Sequence, residues 1–365
     1  MKINFIDVKR QYEQYQLQID AQIQSVLKDA AFIMGKQVAE LEGELAVFTG
    51  TQHAIGCASG TDALQLVLMA YGIKPGDEII TTPFTFIATA EVISLLGAKP
   101  VFVDIRRDTF NIDPTKIKNS ISPRTRGIIA VDIFGQCADF DEINQIAREH
   151  GLFVIEDAAQ SLGAQYRGKQ ACNLADVGCT SFFPAKPLGC YGDGGMIFTN
   201  NEEQAKVLRS LRGHGAGSHK YEHIHIGINS RLDTLQAGIL LAKLKHFPEE
   251  IKLRYEKADY YSKHLKDLVE TSNILPFNRT VWAQYNILVK NREVLQKQLQ
   301  DAQIPTAVYY PKPLHLQPAY ANLGYHEGDF PVTENVSKQI LALPMHPFLT
   351  QEEQDYIITK LKKNI

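Results

Sequence analysis

The feature that most constrains this chain is an alternation of short apolar runs with helix-like stretches between residues 78 and 183. Residues 78–83, 100–104, 127–132, 152–157 and 178–183 read as strands, with helices at 87–96 and 139–149 between them. Strands that are apolar on both faces need cover on both faces, and helices between short runs supply it in a mainly parallel sheet. The pattern predicts an α/β fold. Ligands on such sheets sit at the carboxyl ends of the strands. Asp157 and Lys186 both fall at, or just after, such ends.

On either side of this region the pattern changes. Residues 11–49 are polar and helix-favouring, with Ile19, Ile23, Val26 and Leu27 at helical spacing. Val38, Leu41 and Leu45 mark a second amphipathic helix, which Gly50 ends. A short strand at 53–57 runs into Ser59-Gly60-Thr61-Asp62, and the stretch 64–70 is apolar on nearly every side, as a buried helix would be. Those four residues all suit a helix start. Free N–H groups and the helix dipole there could hold an anion, and a plain N-cap is the other reading.

Beyond residue 200, a helix at 202–212 leads to a flexible loop at 213–218 and then to His219, His223 and His225. No carboxylate or cysteine with ligand spacing accompanies these histidines, so a loop or short strand is expected there and no metal site. An amphipathic helix from 231 to 244, continuing to about 268, bridges to a C-terminal α/β unit. That unit has expected strands at 284–289 and 306–309, and helices at 293–302, 332–342 and 350–362. At 365 residues the chain is too long for one modest core, and it divides into a large domain, 1–245, and a small one, 246–365.

Composition removes several function classes. The net charge is −3 and no basic stripe stands out, which argues against nucleic acid as a partner. No apolar run reaches the roughly 18 residues of a membrane span. Residues 1–7 carry no signal-peptide core, and the five cysteines form no C-x-x-C pair, so a cytoplasmic protein with reduced thiols is expected. No G-x-G-x-x-G follows an expected strand, which argues against a nicotinamide dehydrogenase.

The stretch from Cys179 to Gly195 is the most unusual. A short apolar strand enters a turn in which Lys186 stands between Pro184 and Pro187, and glycines 189, 192, 194 and 195 follow. Each proline fixes its own φ and restricts the residue before it, so the lysine has little freedom. A surface lysine on an irregular loop is the alternative. A lysine on a sheet rim, a carboxylate on a neighbouring strand and a helix start able to hold phosphate are together what pyridoxal phosphate needs. The lysine forms a Schiff base, the carboxylate keeps the ring nitrogen protonated, and N–H groups and hydroxyls hold the phosphate. Phe84 and Phe86 are both candidates to lie over the ring, although Phe86 also suits a core position and Asp157 a helix cap.

The sequence resembles the DegT–StrS family of sugar-nucleotide aminotransferases. The matching stretches include Ser59 to Leu64, Thr85 to Thr89, Gly97 to Asp104, Glu156 to Ala164, Ser181 to Pro184 with Lys186, Gly192 to Gly195, and Gly227 to Asp233. The resemblance implies the fold-type I, aspartate-aminotransferase-like architecture, with pyridoxal 5'-phosphate as cofactor. It makes Lys186 the Schiff-base lysine and proton shuttle, pairs Asp157 with the ring nitrogen, and brings Gln160 to the ring hydroxyl. Gly60, Thr61 and Ser181 would hold the phosphate, and Phe86 would lie against the ring. Asn229 is similar to a residue that the second subunit sends to the phosphate, which implies a homodimer with shared active sites. A histidine in place of Lys186 would instead imply a dehydratase.

Residues 135–140, 172–174 and 183–192 look most like one subgroup of that family. Its members aminate the 3-keto group of a UDP-linked 2-acetamido uronic acid, with L-glutamate as donor, on the way to 2,3-diacetamido uronic acids of surface polysaccharide such as O-antigen. Arg231 is the candidate to meet a substrate carboxylate, because its planar fork pairs bidentately, an interface salt bridge being its other reading. Tyr309 and Tyr310 lie where the subgroup contacts the sugar nucleotide, and tyrosine stands at 309 where the subgroup has histidine. An aminotransferase acting on a 4-keto-6-deoxy or 3-keto-6-deoxy nucleotide sugar, and a non-catalytic regulator that binds pyridoxal phosphate, are the rival readings.

Overall fold

A computed structural model describes residues 3–219 and 221–365. Two helices come first, α1 (Val8–Asp29) and α2 (Lys36–Thr49). Asp7 caps α1 by accepting from the Arg10 N–H, and Gly50 ends α2 at φ 72°, a left-handed conformation that costs glycine nothing. Next come β1 (His53–Cys57), α3 (Gly60–Ala70), β2 (Glu78–Thr81), α4 (Ala88–Leu95), β3 (Lys99–Phe102) and the single turn α5 (Pro114–Ile117). Then follow β4 (Thr125–Val131), α6 (Phe140–His150), β5 (Phe153–Asp157), and the short strands β6 (Gln165–Tyr166) and β7 (Lys169–Gln170). The large sheet is completed by β8 (Val177–Ser181) and β9 (Gly195–Thr199), after which α7 (Glu202–Leu211) and α8 (Thr234–Leu244) follow.

Seven strands form this sheet in the order β1-β9-β8-β5-β4-β2-β3. All run parallel except β9, which pairs antiparallel with both β1 and β8. One face packs through Ile55, Ile129 and Ile155 against Leu64 and Val67 of α3 and Leu208 of α7. On the other, Leu41 of α2 and Leu240 of α8 meet Phe198, and Phe140 and Ile143 of α6 meet Ile128 and Val154. Helices therefore cover both faces, as continuous apolar strands require.

The remaining chain is α9 (Phe247–Leu265), β10 (Glu270–Thr271), β11 (Asn278–Arg279), β12 (Tyr285–Leu288), α10 (Arg292–Asp301), α11 (Pro331–Gln339), β13 (Ile340–Leu343) and α12 (Gln351–Asn364). Strands β10, β12 and β13 make an antiparallel sheet. Tyr261 of α9, Tyr285, Leu299, Leu341 and Ile357 pack around it, and Ile3 from the start of the chain joins that core. Arg10 reaches across with both Nη atoms to Glu353 of α12, at 3.0 and 2.7 Å, which fastens α1 to the C-terminal helix.

Four expectations need correction. The helix expected to run from 231 to 268 is two helices, α8 and α9, separated at Lys245–His246. Pro248 occupies the first turn of α9, where its missing N–H is harmless, whereas in a continuous helix its ring would strike the preceding turn. The helix expected at 332–342 stops at Gln339, and the buried run Ile340–Leu343 is the strand β13. Residues 306–309 form no strand; a single bridge joins Ala307 to Ala342, and Val308, Tyr309 and Tyr310 pack instead against the Phe84–Phe110–Phe134 cluster of the large sheet's rim. Leu27 is 48% exposed and lies off the buried stripe of α1.

His219, His223 and His225 lie exposed on the loop after α7, where His223 Nδ1 sits 2.9 Å from the His214 carbonyl. No described helix is long and apolar enough to cross a membrane. Leu240 is fully buried at the contact of α2, α8 and the sheet. Leu240→Ala should lower stability by about 2–5 kcal/mol through the lost contacts and the cavity left behind, read as an earlier urea midpoint at fixed protein concentration.

Candidate active site

Two neighbouring parallel strands bring the key side chains to one edge. Asp157 is the last residue of β5 and Ser181 the last of β8, and the register pairs Asp157 with Cys179. After β8 the chain makes the Phe182–Cys190 turn and re-enters as β9. The turn is closed by Phe182 N–H to the Gly194 carbonyl, Cys190 N–H to the Phe182 carbonyl and Lys186 N–H to the Phe183 carbonyl, each at 2.8 Å. A side chain at Gly189 would come within 2.6 Å of the Phe183 carbonyl oxygen, so only glycine permits this fold of the turn. Lys243 of α8, buried, donates to the Gly189 carbonyl from beneath. The turn that carries Lys186 is thus pinned from inside the protein.

The start of α3 meets the same edge. Ser59 caps the helix by accepting from Asp62 N–H at 3.0 Å. The first N–H groups of a helix have no partner within it. A Cβ on Gly60 would lie 2.6 Å from Ser181 Cβ, so glycine is what lets the helix start and the end of β8 come together. They bound a cavity of about 620 Å³ lined by Gly60, Thr61, Phe86, Asp157, Gln160, Ser181, Lys186, Tyr309 and Tyr310. A second cavity, about 580 Å³, lies along α9 and is lined by Gln170, Lys252, Tyr255 and Arg279. It holds none of these groups.

Within the first cavity the two charges are tuned in opposite directions. Burial pushes the Asp157 carboxyl pKa up, opposed by hydrogen bonds from Thr89 and the Ala159 N–H and by the Lys186 charge. Thr89 Oγ donates to Asp157 Oδ2 at 2.8 Å, and Ala159 N–H donates to Oδ1 at 3.2 Å. Burial pushes the Lys186 amine down, opposed by Asp157. A lysine whose pKa falls is the one that can act as a base. Gln160 Oε1 accepts from the Phe134 N–H at 3.1 Å, which leaves its Nε2 as donor, 3.4 Å from the Tyr310 hydroxyl.

These residues fit pyridoxal phosphate. The glycine-bared helix start beside the Ser181 hydroxyl suits a phosphate, the buried Asp157 suits a protonated ring nitrogen, and the Gln160 amide donor suits a ring oxygen. Phe86 is 57% exposed at the cavity rim, whereas Phe84 is fully buried in the core, so of the two aromatics only Phe86 is placed to face a ring.

Asn229 and Arg231 do not line the cavity of their own chain. Asn229 is exposed, and Arg231 is half-buried with its Nε lacking a partner. Sequence reasoning missed Thr89, which with Thr85 3.0 Å away forms a hydroxyl pair behind Asp157. Their spacing of four along α4's start was the available signal. It also missed Asp132, whose carboxylate accepts from Ser161 Oγ at 2.8 Å and Ala138 N–H at 2.9 Å, bracing the loop that carries Gln160.

Comparison with known proteins agrees with this geometry. The model of the DegT/DnrJ/EryC1/StrS aminotransferase family matches residues 14–362. The chain is 53% identical, over 95% of its length and 96% of the relative's, to the UDP-2-acetamido-2-deoxy-3-oxo-D-glucuronate aminotransferase of Pseudomonas aeruginosa. It superimposes on S. venezuelae DesV, solved in complex with a ketimine intermediate, with a TM-score of 0.97, 37% identity, and 99% and 98% of the two chains covered. On ntda from Bacillus subtilis, solved with bound cofactor PMP, the TM-score is 0.92 at 33% identity, covering 99% and 85% of the two chains. The chain belongs to the DegT/DnrJ/EryC1/StrS aminotransferase family, with the fold-type I architecture, and is a pyridoxal-phosphate-dependent aminotransferase.

Proposed function

We propose that this enzyme moves the amino group of L-glutamate to the 3-keto carbon of a UDP-linked 2-acetamido-2-deoxy-3-oxo-hexuronic acid. The product would feed 2,3-diacetamido uronic acid synthesis for surface polysaccharide, in the cytoplasm. The observation that carries this reading is the 53% identity, across nearly the whole of both chains, to the Pseudomonas aeruginosa aminotransferase named for that keto sugar. Tyrosine rather than histidine stands at 309 on the cavity wall.

The geometry supports a role for each residue. Pyridoxal phosphate, when bound, supplies the electron sink that stabilises the carbanion left when an amino acid loses its α-proton. The Asp157 carboxyl, held by Thr89, makes a positive charge opposite it favourable in a low-dielectric cavity. Lys186, its amine pushed toward the neutral form by burial, takes the α-proton from the donor and returns a proton to the sugar carbon in the second half-reaction. Gly60, Thr61 and Ser181 hold the phosphate, Gln160 the ring oxygen, and Phe86 flanks the ring.

The same proposal makes the enzyme a homodimer in which Asn229 and Arg231 of each subunit serve the other's site. Both lie outside the cavity of their own chain, next to a loop that exposes Ile224 and Ile226 at 59% and 91%. Arg231 would then meet a carboxylate of glutamate or of the sugar acid. The division into a large domain, 1–245, and a small one, 246–365, belongs to this reading too.

The purified protein, loaded with cofactor, should lose its visible absorption on adding L-glutamate and regain it on adding the 3-keto sugar. Amination of the 4-keto-6-deoxy sugar alone would overturn the substrate assignment, and a chromophore unresponsive to glutamate would make the protein a regulator. Lys186→Ala should cost about 10²–10⁴-fold in turnover, the range for loss of a proton-transferring group. Mixing inactive Lys186→Ala and Asn229→Ala homodimers under exchange should recover activity, because one site of each hybrid is intact; no recovery would argue against shared sites.

Asp157 also yields a pH prediction. Its folded pKa is raised, so at neutral pH its ionised form costs the cofactor-free fold stability, and the cost vanishes as pH falls below its unfolded value of about 3.9. Cofactor-free Asp157→Asn should melt higher than the parent at neutral pH, with the gap closing in acid. It should also bind cofactor more weakly in a spectroscopic titration.

A further inference from the structure

Strand β12 belongs to the C-terminal unit, directly follows Gln284, and has two faces that differ. Tyr285 and Ile287 point into the core of that unit. Gln284, Asn286 and Leu288 alternate with them and so face the other way, where Leu288 joins the cluster of Phe84, Phe110 and the packed Tyr309 and Tyr310. This face lies over the large sheet's rim. Gln284 lines the cavity that holds Lys186. Its Oε1 is buried from solvent yet has no hydrogen-bond partner. Two residues along, Asn286 is 1% exposed, and both its amide oxygen and its amide nitrogen also lack partners.

Buried polar atoms in native proteins nearly always find a partner, so two orphaned amides on one strand face need a reason. A wall awaiting a polar ligand supplies one. A primary amide has one acceptor and two donors on a plane, which is the complement of a secondary amide: its oxygen takes the N–H and its NH2 gives to the C=O. Ile6 and Tyr309 line the same cavity and offer apolar contact for a methyl group. An N-acetyl substituent presents all three features. A hydroxyl presents neither the planar pair nor the methyl.

Resting on the substrate class proposed above, we propose that Gln284 is a specificity-determining residue that reads the 2-acetamido group of the nucleotide sugar, with Asn286 extending the same polar strip behind it. Gln284 makes no contribution to proton transfer. It selects acetamido over hydroxyl sugars by pairing with the acetamido group, and an unacetylated ligand leaves its amide unpaired, which is how buried polar groups discriminate.

The test compares UDP-N-acetylglucosamine with UDP-glucose as ligands of the cofactor-loaded enzyme by titration calorimetry, for the parent, Gln284→Met and Gln284→Ala. The parent should prefer the acetamido sugar. Both variants should narrow that preference by about 2- to 10-fold, the worth of a hydrogen bond, by weakening the acetamido sugar alone. Their visible cofactor absorption should be unchanged, which also reports that they fold. Equal weakening of both sugars, or an unchanged preference, overturns the role of Gln284, as does a parent with no preference or no binding. The substrate class is judged separately by whether the parent aminates the 3-keto acetamido sugar. If it does while the preference ignores Gln284, only the present inference fails; if it does not, the substrate class fails and this inference with it.

Discussion

A lysine and an aspartate share one low-dielectric edge of the sheet, and the rest of the structure is arranged to hold them there. Burial disfavours both charges, lowering the Lys186 pKa and raising that of Asp157. Neither group could keep its position on a loose loop. Asp157 ends a strand buried on both faces, and Lys186 sits on a turn closed by three backbone hydrogen bonds and pinned by Lys243 at Gly189. Rigid support of this kind is what lets a charged group act without reorganising at the moment of reaction.

Behind this edge lies a second layer of acids. Asp132 and Glu156 are both fully buried. Glu156 accepts from the Cys172 and Leu174 N–H groups, and burial pushes its carboxyl well up. Asp132, also raised by burial, ties β4's end to the loop after β5 through Ser161. Both accept hydrogen bonds from surrounding backbone and side chains, and they act as braces behind the Asp157–Lys186 edge. The opposite wall comes from the C-terminal part of the chain, where Tyr309, Tyr310 and Gln284 close the cavity.

Much of the large sheet was legible because strands buried on both faces write themselves as continuous apolar runs. The cofactor edge was legible too, since Lys186, Asp157, Ser181 and Gly60 all sit at element ends that the pattern marks. Less could be read where one local pattern has two outcomes. Ile340–Leu343 extends a helical period and is a strand, because pairing with β12 outweighs local preference. Residues 306–309 are strand-like and instead drape over the rim, where Tyr310 packs its ring against Phe84 and Phe86 and Tyr309 packs against Phe5. Strand β9 was missed since it follows β8 with no intervening helix.

The sequence by itself determined that this is a parallel α/β protein whose chemistry rests on a constrained lysine, because periodicity, proline and glycine act locally. Only the tertiary structure decided which groups share the cavity. It buried Phe84 in the core and left Phe86 at the rim, recruited Thr89 to Asp157, and placed Gln284 on the cavity wall with its amide oxygen unpaired. It also left Asn229 and Arg231 outside. Those are relations between elements far apart in the chain, and no local pattern encodes a distance that packing alone sets.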